Sequence, residues 1–271
     1  MNISQVSRTF SWPRFARLAR AHWAEERSRY LAHLLVCAML YAVLLVFLLG
    51  VSGAAALRTG MQAALYVGGL FLTGFVFAGR YFNAMAQRES ALLALMRPAS
   101  VLEKWALCVL VVAVAYPLAY SLLYLVLTWP AQQVSVMVQA AWDAKAFRPK
   151  DFALFVPFFL AVNDQGLSQL QQVAFLIVLW ALQAFAVAGS LYFPRAALLK
   201  TVALGFALFA LTSLVASVVG MRVEVLFAWW HLRHSPPLGL AGHALNAAFW
   251  IGLPLLLWAQ AYVHLQDKEL L

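Results

Sequence analysis

No Asp, Glu, Lys or Arg interrupts the interiors of the long apolar stretches of this chain, and that absence restricts what the chain can do. Ionisable groups at membrane depth are costly, and where they occur they mark proton relays and ion pathways. Without them, proton-coupled transport is disfavoured and an ion-selective pore has no charged ring to work with. Amides such as Gln172, Gln183, Asn246 and Gln260 lie in or near the apolar stretches. Cysteine is scarce too: Cys37 and Cys108 both fall inside apolar stretches, where small packing residues are expected and an external disulfide is not. There is no G-x-x-x-x-G-K-[ST], no H-E-x-x-H and no C-x-x-C, which removes phosphate cradling by this chain and the common metal chemistries. Any ATP hydrolysis has to happen in another subunit.

What is present is apolar length. Hydrophobic residues make up 65% of the 271 positions and charged residues 11%. The apolar runs are about 20 residues each, the length of helix that crosses a hydrocarbon core of about 30 Å. Six spans are expected, at 32–53, 62–79, 104–128, 170–191, 199–220 and 244–264, with Lys104 and Lys200 at inner ends. Each is expected to be helical, because lipid offers no partners for backbone N–H and C=O groups. The fold class is therefore an all-α polytopic membrane protein, a single transmembrane domain over 1–271 with no room for a soluble domain.

Basic residues in short loops are retained on the cytoplasmic side. With both termini inside, the inner side holds Arg8, Arg14, Arg17, Arg20, Arg27, Arg29, Arg80, Arg88, Arg97, Lys104, Arg195, Lys200 and Lys268. The outer side keeps Arg58, Lys145, Arg148, Lys150, Arg222 and Arg233. The net charge of +9 is thus mainly a topology signal, with anionic lipid headgroups as its default partner and no need of nucleic acid. The N-terminal segment lacks the apolar core and small-residue site of a removable signal, so it is expected to be retained.

Outside the spans, 9–30 is expected to form an interfacial elbow helix. Ser11 stands at its cap, Pro13 in its first turn, and Phe15, Leu18 and Trp23 oppose Arg14, Arg17 and Arg20. Small residues such as Gly68, Gly69, Gly74, Gly79, Ala184 and Ala188 favour close helix packing. Pro117, and Gly252 with Pro254, are expected to kink the third and sixth spans. The external segment 129–169 is expected to carry short helices, one on Val134, Met137, Val138, Ala141 and Trp142 and one re-entrant or interfacial piece split by Pro157. A second external re-entrant segment is expected over 221–243, with Phe227, Trp229 and Trp230 as an aromatic belt.

Two catalytic patterns fail on placement. Ser190 ends the fourth span inside and His243 begins the sixth outside, too far apart for a nucleophile and its base. His231, His234 and His243 gather near the outer face, but no carboxylate accompanies them and a solvated role is expected over a metal site.

The first inner loop is more informative. Over 80–97 Phe82, Met85, Leu92, Leu93 and Met96 form an apolar stripe interrupted by Glu89, with Asn83, Gln87 and Arg88 among the polar positions. Pro98 stops this helix, and Ser100 with Glu103 forms a capping box that restarts the chain as the third span. A helix, a turn and a helix in this setting make a docking surface for a cytoplasmic partner.

The stretch Leu95-Met96-Arg97-Pro98-Ala99-Ser100-Val101-Leu102-Glu103-Lys104 resembles the L-x-L-P-A-S-x-x-E-K pattern of small six-helix permeases of the type-2 ATP-binding-cassette (ABC) exporter class. Gly189-Ser190-Leu191-Tyr192-Phe193-Pro194-Arg195, followed by Leu198-Leu199-Lys200-Thr201, is similar to the G-S-x-Y-F and L-K-T pattern of their second cytoplasmic loop. Arg97 replaces the family's apolar residue before Pro98, and Pro194 stands where a basic residue is commoner. The two matches cover about 25 residues, while the six-span layout covers the chain.

The resemblance implies a homodimer in a bacterial inner membrane, each copy bound to one of two separate ABC ATPase subunits that hold ATP and Mg. Tyr81 to Met96 then serves as a coupling helix, with Met85 and Leu92 on its apolar side and Arg88 and Glu89 as polar contacts. Arg97, Pro98, Ser100, Glu103 and Lys104 fix it to the third span, and Phe193, Arg195 and Lys200 make the lesser second contact. The cargo implied is hydrophobic or amphiphilic, moved out of the cytoplasm or inner leaflet. The alternative is a non-transporting scaffold or sensor that uses the same loops to recruit a partner.

Overall fold

The computed structural model describes residues 10–53, 57–82, 99–142, 148–157, 169–193, 195–218 and 239–270. Among them there is no strand. The helices are α1 (Trp12–Ser52), α2 (Thr59–Arg80), α3 (Val101–Val109), α4 (Tyr116–Trp142), α5 (Gln169–Tyr192), α6 (Ala197–Val218), α7 (Leu240–Ala247) and α8 (Leu253–Leu270). A widened, π-type turn over Leu110–Ala115 joins α3 to α4, and another over Ala248–Gly252 joins α7 to α8. Six continuous helical stretches are long and apolar enough to cross a membrane: Trp12–Val51, Thr59–Arg80, Val101–Trp142, Gln171–Tyr192, Ala197–Val215 and Leu240–Asp267. The six expected spans all lie within or overlap these stretches.

Two boundaries differ from expectation. The basic segment expected as a separate elbow over 9–30 and the first span are one helix of 41 residues. No Pro or Gly falls between Pro13 and Gly50, and the Ala-, Arg- and Glu-rich join favours helix, so nothing breaks it. The third span runs on to Trp142, so the helical pattern on Val134, Met137, Val138, Ala141 and Trp142 belongs to α4 and not to a separate external helix. Pro130 is accommodated inside that helix. The segment expected as an external loop follows Trp142, and its described part is a short 3-10 helix, Pro149–Phe152, followed by non-helical backbone to Pro157. The expected re-entrant segment over 221–243 lies outside the described residues up to position 238.

The chain divides into two compact units. The first comprises Met1–Ala19, Phe75–Ala113 and Leu176–Leu271. Here Phe15 and Leu18 of α1 pack with Ala99 and Leu107 at the start of the third span, flanked by Ala19, Ala106 and Val111. Trp105 donates its indole N–H to the Trp258 carbonyl at 3.0 Å and meets the Tyr262 ring edge-on, joining α3 to α8.

The second unit comprises Arg20–Gly74 and Val114–Phe175. Its core is a set of buried tyrosines, Tyr41, Tyr66, Tyr116, Tyr120 and Tyr124, on α1, α2 and α4. Tyr41 pairs with Thr128 at 2.8 Å and Tyr66 with Ser121 at 2.9 Å, so these two hydroxyls find partners in the core, while the Tyr124 hydroxyl has none among the described residues. Gly69 leaves the space into which the Tyr120 hydroxyl fits, which a Cβ would fill. The external strap is tied down by side chains. Thr59 donates to the carbonyls of Asp151 and Ala153, Gln132 to that of Phe152, and Gln62 accepts from Phe155 N. The strap's backbone groups are thereby satisfied without regular structure, and Phe155 is buried against Tyr66 and Tyr124.

Candidate functional site

The residues singled out in the sequence belong to two loops, and the structure describes half of them. Met85, Arg88, Glu89, Leu92, Arg97 and Pro98 lie outside the described residues, and with them the helix expected over 80–97. Ser100, Glu103, Lys104, Phe193, Arg195 and Lys200 are described, and they fall at the roots of the two inner loops.

At the exit of the first loop the capping box is formed. Ser100 has extended backbone (φ −69°, ψ 155°), its hydroxyl accepts from Glu103 N at 3.3 Å, and its own N–H donates to Glu103 Oε2 at 3.0 Å. The second carboxylate oxygen does something the sequence did not announce. Glu103 Oε1 accepts from Ser11 N at 2.8 Å and from Arg14 Nε and Nη2 at 3.1 and 2.9 Å. The Glu103 side chain is 0% exposed and that of Arg14 19%, so this is a largely desolvated ion pair whose carboxylate has four donors. Burying a charge is tolerable only with such pairing.

Glu103 therefore faces the N-terminal helix, and Ser100 is buried with it. Ser100 and Glu103, expected to fix the first loop to the third span, hold the start of that span onto Ser11 and Arg14. The Arg14 link was invisible in the sequence because a separation of 89 residues leaves no local signal. A lone Glu at the threshold of a span whose one other charge is the adjacent Lys104 was the one available hint. Lys104, next along the helix, is half-buried.

The second loop's root is packed against the first. A Cβ on Gly79, at the inner end of α2, would come within 2.8 Å of Leu198, and one on Gly189 would collide with the Thr201 side chain. The two glycines thus let α2 and α5 close on the first turn of α6. Lys200 is exposed, its ammonium 5.7 Å from the Phe193 ring centroid, and Arg195 is exposed beside it. Ala196 takes a left-handed conformation, φ 52°, at the reversal into α6. Tyr192 is 67% exposed, giving this turn an aromatic and two basic side chains open to the surroundings.

Among the described residues no group of three His, Cys, Asp or Glu is placed to hold a metal ion. Ser190 is buried and donates to the Val187 carbonyl at 2.7 Å, an intrahelical bond. His243 is exposed, whereas His231 and His234 lie outside the described residues. Cys37 and Cys108 are buried free thiols.

Comparisons with protein-family models, with curated proteins and with solved structures return no match to this chain.

Proposed function

We propose that this chain is the membrane-spanning subunit of an ATP-driven ABC exporter. It pairs with a second copy, and its inner loops dock onto two separate ATPase subunits. The cargo is hydrophobic or amphiphilic, since the spans offer aromatic and aliphatic surface and no charge to hold an ion. The observation that carries this reading is the brace at Glu103. A loop that only joined two spans needs no buried ion pair at its exit, whereas a loop that receives force must be held against the helix it moves. Four donors on one carboxylate provide that hold, and the Gly79 and Gly189 contacts bring the second loop's root to the same inner end.

In this reading the loop between Tyr81 and Met96 is the coupling helix, with Met85, Arg88, Glu89 and Leu92 on its docking side. Arg195 and Lys200 make the second contact. ATP and Mg are bound by the partner, and closure of the ATPases pushes the loops. The test is co-purification from native bacterial membranes. A tagged chain should retain a subunit that hydrolyses ATP, and Glu89→Arg should reduce both its recovery and its activity. Recovery of a partner with no nucleotide hydrolysis favours the scaffold reading and overturns this one.

A further inference from the structure

The widened turn Leu110–Ala115 stands directly before Pro117. Proline has no N–H, and its ring crowds the carbonyl four residues back, so that carbonyl loses its helical donor. Widening the turn to a five-residue step moves the gap to the carbonyl five back. For Pro117 these two carbonyls are Ala113 and Val112. Both are taken by side chains of α5: Trp180 Nε1 donates to Ala113 O at 3.0 Å and Gln183 Nε2 to Val112 O at 2.9 Å. Trp180 and Gln183 are three residues apart and share one face of α5. In lipid, a neighbouring helix is the source of such donors.

The arrangement is not fully satisfied. Gln183 is wholly buried, and its Oε1 has no hydrogen-bond partner among the described residues. The side chain that secures the turn therefore carries a penalty while it does so, which lowers the cost of letting go. The third span is also divided inside this turn, between Ala113 and Val114, by the boundary of the compact units.

We propose that Trp180 and Gln183 form a releasable catch on the proline-widened turn of the third span. In the held state both freed carbonyls are occupied from α5. In the released state the turn is no longer tied to α5, and the surface it covers opens. The catch is a property of the chain alone and stands whether or not an ATPase drives it.

The two native thiols provide the readout. Cys108 is wholly buried four residues before Val112, on the same helix face, and Cys37 is buried in α1 within the other unit. The full chain in lipid vesicles is treated with a membrane-permeant maleimide, and modification is followed at each cysteine by mass spectrometry. The reaction needs thiolate and hence water access. Trp180→Phe keeps an aromatic side chain and removes the N–H donor together with the five-membered part of the indole, whereas Gln183→Met removes its donor with little change of volume. It should speed labelling of Cys108 by roughly threefold to tenfold, the scale of one lost hydrogen bond, and leave Cys37 unchanged. Equal acceleration at both thiols means general loosening and overturns the proposal, as does no acceleration at Cys108.

Pro117→Ala restores a donor within the third span itself. In that background Trp180→Phe should change Cys108 labelling by less than about twofold, and an undiminished effect severs the catch from the proline. Gln183→Met, read the same way, decides the matter if Trp180→Phe does not fold.

Discussion

A buried carboxylate with four donors and one partner that is itself partly exposed makes an asymmetric pair. If Arg14 is replaced by Met, Glu103 stays wholly desolvated and keeps only the N–H groups of Ser11 and Ser100. If Glu103 is replaced by Gln, Arg14 turns its guanidinium to water through the 19% of its side chain already exposed. Breaking a buried pair by removing one partner costs about 3–5 kcal/mol when the other charge is trapped. Arg14→Met should therefore cost about 3 kcal/mol and Glu103→Gln about 2 kcal/mol, most of the latter from the amide N–H₂ facing the Ser100 N–H. Unfolding of the two variants in detergent, monitored by denaturant or temperature, checks the order. The reverse order would place the charge of Arg14 in water and remove the brace. At this scale the sequence disclosed half of the site. The Ser100 and Glu103 box is a local pattern of three residues and was legible. The second oxygen's partners lie 92 and 89 positions away, where no periodicity or motif reaches.

Among the elements, the inner ends of α2, α5 and α6 meet through two glycines whose contacts differ in kind. The atom facing Gly79 is the end of the Leu198 side chain, which can turn aside. The atoms facing Gly189 include Cβ and Cγ2 of Thr201 at 2.8 and 2.7 Å, held in place by the hydroxyl's bond to the Ala197 carbonyl. Overpacking a tight contact costs about 1–3 kcal/mol, less where the neighbour can move. Gly189→Ala should lose about 2–3 kcal/mol of stability and Gly79→Ala no more than about 1 kcal/mol, both read as shifts of the unfolding midpoint. Equal losses would show that Leu198 is as fixed as Thr201. The small residues of α2 and α5 were recognisable as packing positions, but which glycine met a rigid neighbour depended on the side chain opposite. The helix ends were misjudged for a related reason. Hydropathy falls at Trp129 and rises at Leu31, yet α4 and α1 pass through both positions, because helix continuity follows backbone propensity and hydrogen bonding and not the polarity that marks a membrane boundary.

For the whole molecule, the count of spans was the most legible property, since about 20 apolar residues in sequence have few other uses. The question left for this scale is where work enters. Within the six candidate spans the Asp, Glu, Lys and Arg residues lie toward the ends, and Glu103, the one buried acidic residue described, is engaged by Arg14 and by the backbone N–H groups of Ser11 and Ser100 at the start of the third span. Its proton cannot be passed along the span, because from Trp105 to Trp142 no further titratable carboxylate, lysine or arginine follows. The buried polar groups beyond it are hydroxyls and amides, Ser121, Thr128, Gln132, Ser135 and Gln183, several of them committed to backbone carbonyls. Such groups can shape a surface for an uncharged or amphiphilic cargo, and they cannot carry charge across in step with it. The chain purified alone and reconstituted into vesicles should therefore fail to accumulate any amphiphilic probe when a proton or sodium gradient is imposed. In the exporter reading proposed above, adding the proposed ATPase partner and ATP should restore movement, and Arg14→Met should weaken that restored movement more than it weakens assembly. Accumulation driven by an ion gradient in the isolated chain would overturn the imported-work reading, because an ion-coupled carrier would then exist within spans whose Asp, Glu, Lys and Arg residues lie toward the ends.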